Sequence, residues 1–200
     1  MSMISVESHI NRLFNSVSYR VGNAIVDAGD VWDSFNSLDI ILLTHAHFDH
    51  IYGLKDFLKI NPEVRIYTNA MGKEMLLNSR KNLSLYHETP FQLDSDSNIV
   101  VINDGDVVDI GNGLTVKAVY TPGHNASCIT WICDDLIFTG DSLIPGVKTV
   151  TNLPGSDKHA ASDSENLIKT LAVGKNICPG HYLTPVSYTH LRAHETTLHL

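Results

Sequence analysis

Residues 42–53 read LLTHAHFDHIYG, and this stretch decides how the rest of the chain is read. It begins inside DIILLTH (39–45), a short continuous apolar run that predicts a strand buried on both faces. Beyond it the apolar positions Ile51, Leu54, Phe57 and Leu58 shift to helical spacing, which stops before Pro62. Between the strand end at Thr44 and that helix the loop offers His45, His47, Asp49 and His50. In an extended loop His45 and His47 point to one side, while Asp49 and His50 at the helix start can turn toward a neighbouring point. Imidazole and carboxylate are donors that suit zinc, iron or manganese, so one short loop can serve two metal ions. Taken alone, Asp49 also fits a plain helix N-cap.

Three further segments each place one such donor in a tight turn at a strand end. They are YTPGHN with His124, IFTGDS with Asp141 and ICPGHY with His181. Pro and Gly before each histidine set a turn in which the backbone comes close and the side chain projects inward.

Working outward, 17–21 and 23–27 alternate and are joined by Gly22-Asn23, which predicts a hairpin. VRIYT (64–68) predicts a strand, and Asn69 the N-cap of a helix carrying Met71, Met75 and Leu76 as core packing. From residue 98 the pattern turns to strands: NIVVIN, DVVDI, LTVKAVYT, SCITWIC and DLIFTG. A helix over 156–172 and a short strand NICPG follow. Strands that mostly form hairpins, with helices in both halves, predict two mixed sheets face to face with helices outside. The fold class is mixed α/β (α+β), in one domain over 1–186.

A formal charge of -8 argues against a protein that lives on nucleic acid, which needs a basic face. No apolar run reads as a membrane span, and MSMISVESHINRLF lacks the basic and apolar regions of a secretory signal, so a cytoplasmic protein is expected. Cys128, Cys133 and Cys178 form no Cys-x-x-Cys pair and read as buried reduced thiols.

In the order H-x-H-x-D-H, then His, then Asp, then His, the chain resembles the metallo-β-lactamase-fold hydrolase superfamily, with the match running over 27–181. The resemblance implies a four-layer αββα sandwich with the site at one edge of the sheets. It implies that His45, His47 and His124 hold one divalent ion, that Asp49, His50 and His181 hold a second, and that Asp141 bridges them. Zinc is the expected metal, with iron or manganese as alternatives. NAIVDAG matches the family's early acidic motif, in which Asp27 fixes the ligand loop by hydrogen bonds; an ordinary turn residue before Gly29 is the other reading. An aspartate at position 141 is similar to the thioesterase, lactonase, phosphodiesterase and di-iron branches rather than to the β-lactamases.

The expected activity is attack on a small (thio)ester by a metal-bridging hydroxide, with Asp49 as general acid-base, similar to hydroxyacylglutathione hydrolase (glyoxalase II). Lys148 and Tyr182 are the candidate contacts to a small-molecule substrate, or else a surface charge and a packed aromatic. Glyoxalase II has an additional helical domain for glutathione, for which 200 residues leave no room. A phosphodiesterase or nuclease of the same fold, and a non-hydrolytic di-iron protein, are the alternatives. The end of the chain, SYTHLRAHET onward from Ser187, resembles the translated read-through of a sequencing adaptor, which sets His190, His194 and His199 apart from the site despite their spacing.

Overall fold

The computed structural model describes residues 4–32 and 38–182, so the 187–200 tail lies outside the described residues. Two sheets form the centre. One has six strands in chain order, β1 (Val6–Ile10), β2 (Val17–Val21), β3 (Ala24–Val26), β4 (Ile40–Leu42), β5 (Arg65–Thr68) and β6 (Ile99–Val101). The other has five, in the order β11 (Asn176–Pro179), β10 (Leu136–Gly140), β9 (Ile129–Cys133), β8 (Thr115–Tyr120) and β7 (Val107–Asp109).

The alternation of side chains along each strand explains the layering. Ala24, Val26, Ile40 and Leu42 point inward to meet Val116, Ala118, Trp131 and Phe138 of the second sheet in the main core. Their neighbours Ile25, Ile41 and Leu43 point outward, under α1 (Leu54–Ile60) and α2 (Ala70–Leu76), where Leu54, Phe57, Met75 and Leu76 cover them. On the far side α3 (Lys158–Leu171) packs Ile168 on Ile137 of β10. The result is helix, sheet, sheet, helix. Of the run 39–45, residues 40–45 are buried on both faces as read while Asp39 is exposed, and Asn69 caps α2 by accepting from the Gly72 N–H at 2.8 Å.

Several details differ from the sequence reading. The pairs β3–β4, β4–β5 and β5–β6 are parallel, so the first sheet is built largely by crossovers and only its start is a hairpin ribbon. Strand β1 was not expected, because VESHI is mostly exposed and offers little apolar signal. Met71 is exposed rather than part of the core. The helix after the histidine loop begins at Leu54, and residues Phe48–His50 form one separate 3-10 turn. Among the described residues no helix is long and apolar enough to cross a membrane.

Candidate metal centre

The end of β4 is pinned between the sheets. The Leu43 carbonyl accepts from Trp131 Nε1 at 3.0 Å, and the Thr44 carbonyl from the Ile129 N–H at 2.7 Å. The loop that follows is therefore held by β9 of the opposite sheet. Asp27 holds it from the other side: one carboxylate oxygen accepts from the Thr44 N–H at 2.7 Å, the other from Thr44 Oγ1 at 2.7 Å and from His50 Nδ1 at 2.9 Å. Asp49 lies in the 3-10 turn and caps no α-helix, since the N-cap of α1 is Gly53.

All seven predicted ligands come together at one edge of the sheets. Donor atoms of His45, His47 and His124 lie within 4.8 Å of one another, as do those of Asp49, His50 and His181, and those of His45, His50 and Asp141. Asp141 stands between the groups: its Oδ2 is 3.6 Å from His124 Nε2 and 3.4 Å from His181 Nε2, and its Oδ1 is 3.5 Å from His50 Nε2. Asp49 Oδ2 lies 3.3 Å from His181 Nε2 and 3.4 Å from His50 Nε2. The glycine turns allow this closeness. A Cβ on Gly180 would stand 2.2 Å from Asp141 Oδ1 and 3.0 Å from the His50 ring, and one on Gly123 (φ +138°) would meet Ala161 at 2.2 Å.

The outer hydrogen bonds dictate which ring nitrogen faces inward. His124 Nδ1 donates to the Val150 carbonyl at 3.0 Å, His181 Nδ1 to the Phe14 carbonyl at 3.2 Å, and His50 Nδ1 to Asp27. Thr44 Oγ1 gives its own proton to Asp27, so it accepts from His45 Nδ1 at 3.2 Å. In these four rings Nε2 faces into the cluster. His47 is turned around, with Nδ1 inward and Nε2 beside the Asn125 amide at 3.2 Å. Phe14, Val150, Asn125 and Thr44 were not singled out from the sequence; the backbone carbonyls carry no residue-type signal at all.

Electrostatics divide the cluster. Burial, reinforced by His50, pushes His45 well down, and burial with His124 pushes His47 to about 3, so both are neutral donors. Burial alone would lower His50, but Asp49 and Asp27 hold it up at about 9; Asp141 and Asp49 likewise hold His181 up against burial. Burial raises Asp49, yet His50 and His181 outweigh it and leave the carboxyl at about 2. Asp141 is held well below the ordinary range by His181 and His50 in the same way, against its own burial.

The donor set fits divalent cations. His45 Nε2 and Asp141 Oδ1 are buried with no hydrogen-bond partner among the described residues, and such orphans are costly unless something binds them. His47 Nδ1 and His124 Nε2 face each other at 2.9 Å, a contact that needs a proton or a cation between the two nitrogens.

The two tentative substrate contacts are not drawn into the cluster. Lys148 is exposed on the loop that leads to Val150. Tyr182 is 44% exposed, and its hydroxyl neighbours Tyr19. The three cysteines are free and buried as read, with burial pushing the Cys128 thiol up to about 12.

Comparisons with known proteins agree with this fold. A family model described as the metallo-beta-lactamase superfamily matches residues 36–183. The chain is 31% identical over 145 residues to a hydroxyacylglutathione hydrolase of Xylella fastidiosa, covering 72% of this chain and 46% of that protein. It is 34% identical over 109 residues to an atrochrysone carboxyl ACP thioesterase of Aspergillus fumigatus, covering 54% of this chain and 28% of that one. It therefore spans less than half the length of either. Among solved structures, TTHA1623 in a di-iron-bound form superposes with a TM-score of 0.74 at 19% identity, covering 88% of this chain and 92% of that one, which is a likeness of fold.

Proposed function

The chain belongs to the metallo-beta-lactamase superfamily, and on that premise we propose that it is a metal-dependent hydrolase of small thioesters or esters. The observation that carries the reading is Asp141, whose carboxylate reaches histidines of both donor groups. A relative named as a thioesterase and another named as a hydroxyacylglutathione hydrolase support acyl transfer to water.

In this reading His45, His47 and His124 would hold one divalent ion and Asp49, His50 and His181 a second, with Asp141 within reach of both groups; zinc, iron or manganese would suit these donors. When bound, the two ions supply a water acidic enough to react near neutral pH and a Lewis acid for the carbonyl oxygen. The chain's own residues do the rest. Asp27, Val150, Phe14 and Thr44 fix the ring nitrogens, so no reorientation is needed as substrate enters. Asp49 keeps part of its side chain open to solvent, and in this reading it exchanges the proton between the attacking water and the leaving group.

A panel of S-lactoylglutathione, a lactone and bis-p-nitrophenyl phosphate tests this against an Asp141→Asn control. Turnover of the thioester is expected, with a loss of more than about 100-fold in the variant, since removing only an outer partner of a metal ligand costs about 10–100-fold. Wild type and variant equally inactive on all three would remove the hydrolase reading. Turnover confined to the phosphodiester would replace it with the phosphodiesterase one.

A further inference from the structure

His47 differs from the other four clustered histidines in what its outer nitrogen meets. The outer Nδ1 of His45, His50, His124 and His181 faces an acceptor: Thr44 Oγ1, the Asp27 carboxylate, and the Val150 and Phe14 carbonyls. The outer Nε2 of His47 lies 3.2 Å from Asn125 Nδ2 instead. Ser127 decides which end of that amide faces the ring. The far end of the amide stands 2.8 Å from the Ser127 backbone N–H, which can only donate, so that end is the oxygen. The amide therefore offers His47 an NH₂, and a ring nitrogen opposite an NH₂ accepts. The ring proton is left on Nδ1, which points inward and donates to His124 Nε2 at 2.9 Å. A continuous line of donors results, from Asn125 through His47 and His124 to the Val150 carbonyl.

The surroundings keep Asn125 in that orientation. Asn125 and His47 are each 4% exposed, so bulk solvent does not make up for a lost partner. Ser127 Oγ accepts from the Ala46 N–H at 3.1 Å, and the Ala126 carbonyl from Asn69 Nδ2 at 3.2 Å, which fastens the turn to the ligand loop and to the start of α2. An ion held by His47 would take the lone pair of Nδ1 and send the proton to Nε2, where it would face the Asn125 NH₂. Turning the amide over would then set the NH₂ against the Ser127 N–H and leave a buried donor without an acceptor. The group of Asp49, His50 and His181 has no such conflict, because the outer nitrogens of both its rings already donate to acceptors.

We propose that Asn125 is a positioning residue that keeps the His47 proton on the inward nitrogen, and that it thereby makes His45, His47 and His124 the weaker of the two donor groups toward a divalent ion. The inference rests on the metal reading of the cluster and not on any substrate. Zinc titration of the metal-free full chain against a chromophoric chelator tests it. Long-range proton–nitrogen NMR of the same zinc-free protein reports which nitrogen of His47 carries the proton. In wild type that proton is expected on Nδ1, and zinc is expected to bind in two steps of unequal affinity. Asn125→Ala removes the NH₂ without adding charge, and Asn125→Asp sets an acceptor before both His47 Nε2 and the Ser127 N–H. The weaker step is expected to tighten about tenfold in the first variant and by about 10–100-fold in the second, the scale on which outer partners of ligating histidines move metal affinity. The stronger step should stay unmoved in Asn125→Ala. One zinc ion bound by wild type and two by Asn125→Asp would be the same result in its extreme form. A His47 proton found on Nε2 in zinc-free wild type overturns the proposal, even if neither variant folds. So does weaker zinc binding by Asn125→Ala, the loss expected of an amide that supports the ligand, and so do two steps that neither variant moves. Those three outcomes leave the metal reading standing, whereas a chain that binds no zinc in any of the three forms removes both.

Discussion

Asp27 joins three points that are distant in sequence. At φ +60° it turns the chain after β3 and points its carboxylate at Thr44 and His50 at once. Asparagine accepts the same backbone conformation but brings an NH₂ where one of these donors must be met. We expect Asp27→Asn to fold and to bind zinc about 10–100-fold more weakly, measured by competition with a chromophoric chelator. An unchanged affinity would show that the ligand loop needs no such hold. The seven clustered side chains were legible as residues because donor chemistry is written in residue type. Their orientation was not, since the carbonyls of Val150 and Phe14 that set His124 and His181 could belong to any residue.

At the scale of elements, α3 bears on the site through its first turn. Asp157 caps it by accepting from the His159 and Ala160 N–H groups at 2.8 and 3.0 Å, bonds that also hold its carboxyl below the ordinary range. Its own N–H donates to the Gly123 carbonyl at 2.8 Å, which ties the helix to the turn that presents His124. Asp157→Ala is expected to lower the midpoint of urea unfolding, as the loss of an N-cap does. A midpoint that does not move would mean that the Gly123 bond and helix packing suffice. The helices and most strands were legible from periodicity. Strand β1 was not, because an exposed edge strand needs no apolar alternation, and the parallel order of β3 to β6 is a matter of pairing that no single strand encodes.

For the whole molecule, protons and metal ions compete for one cluster. In the metal-free protein His50 is held at about 9 against an ordinary 6.5, because Asp49 and Asp27 outweigh its burial. A raised pKa contributes stability in full below pH 6.5 and loses it as pH climbs through 9. Asp49, held at about 2 against 3.8, contributes above 3.8 and loses its share as pH falls toward 2. Chelator-treated protein should therefore lose on the order of 1–3 kcal/mol in urea unfolding between pH 6.5 and 9. With zinc in excess the decline should vanish, because the ion replaces the protons and adds its own binding free energy. A metal-free protein equally stable at both ends of that range would show that the carboxylates do not hold His50 protonated.

The sequence by itself determined the donor types that meet at the site, their order along the chain and the layered fold, because donor type, turn glycines and side-chain alternation are local properties of the chain. Only the tertiary structure decided which nitrogen of each ring faces inward, and that Asp141 reaches both groups. Those facts depend on bonds and contacts between segments tens of residues apart, and no local pattern records which segments meet.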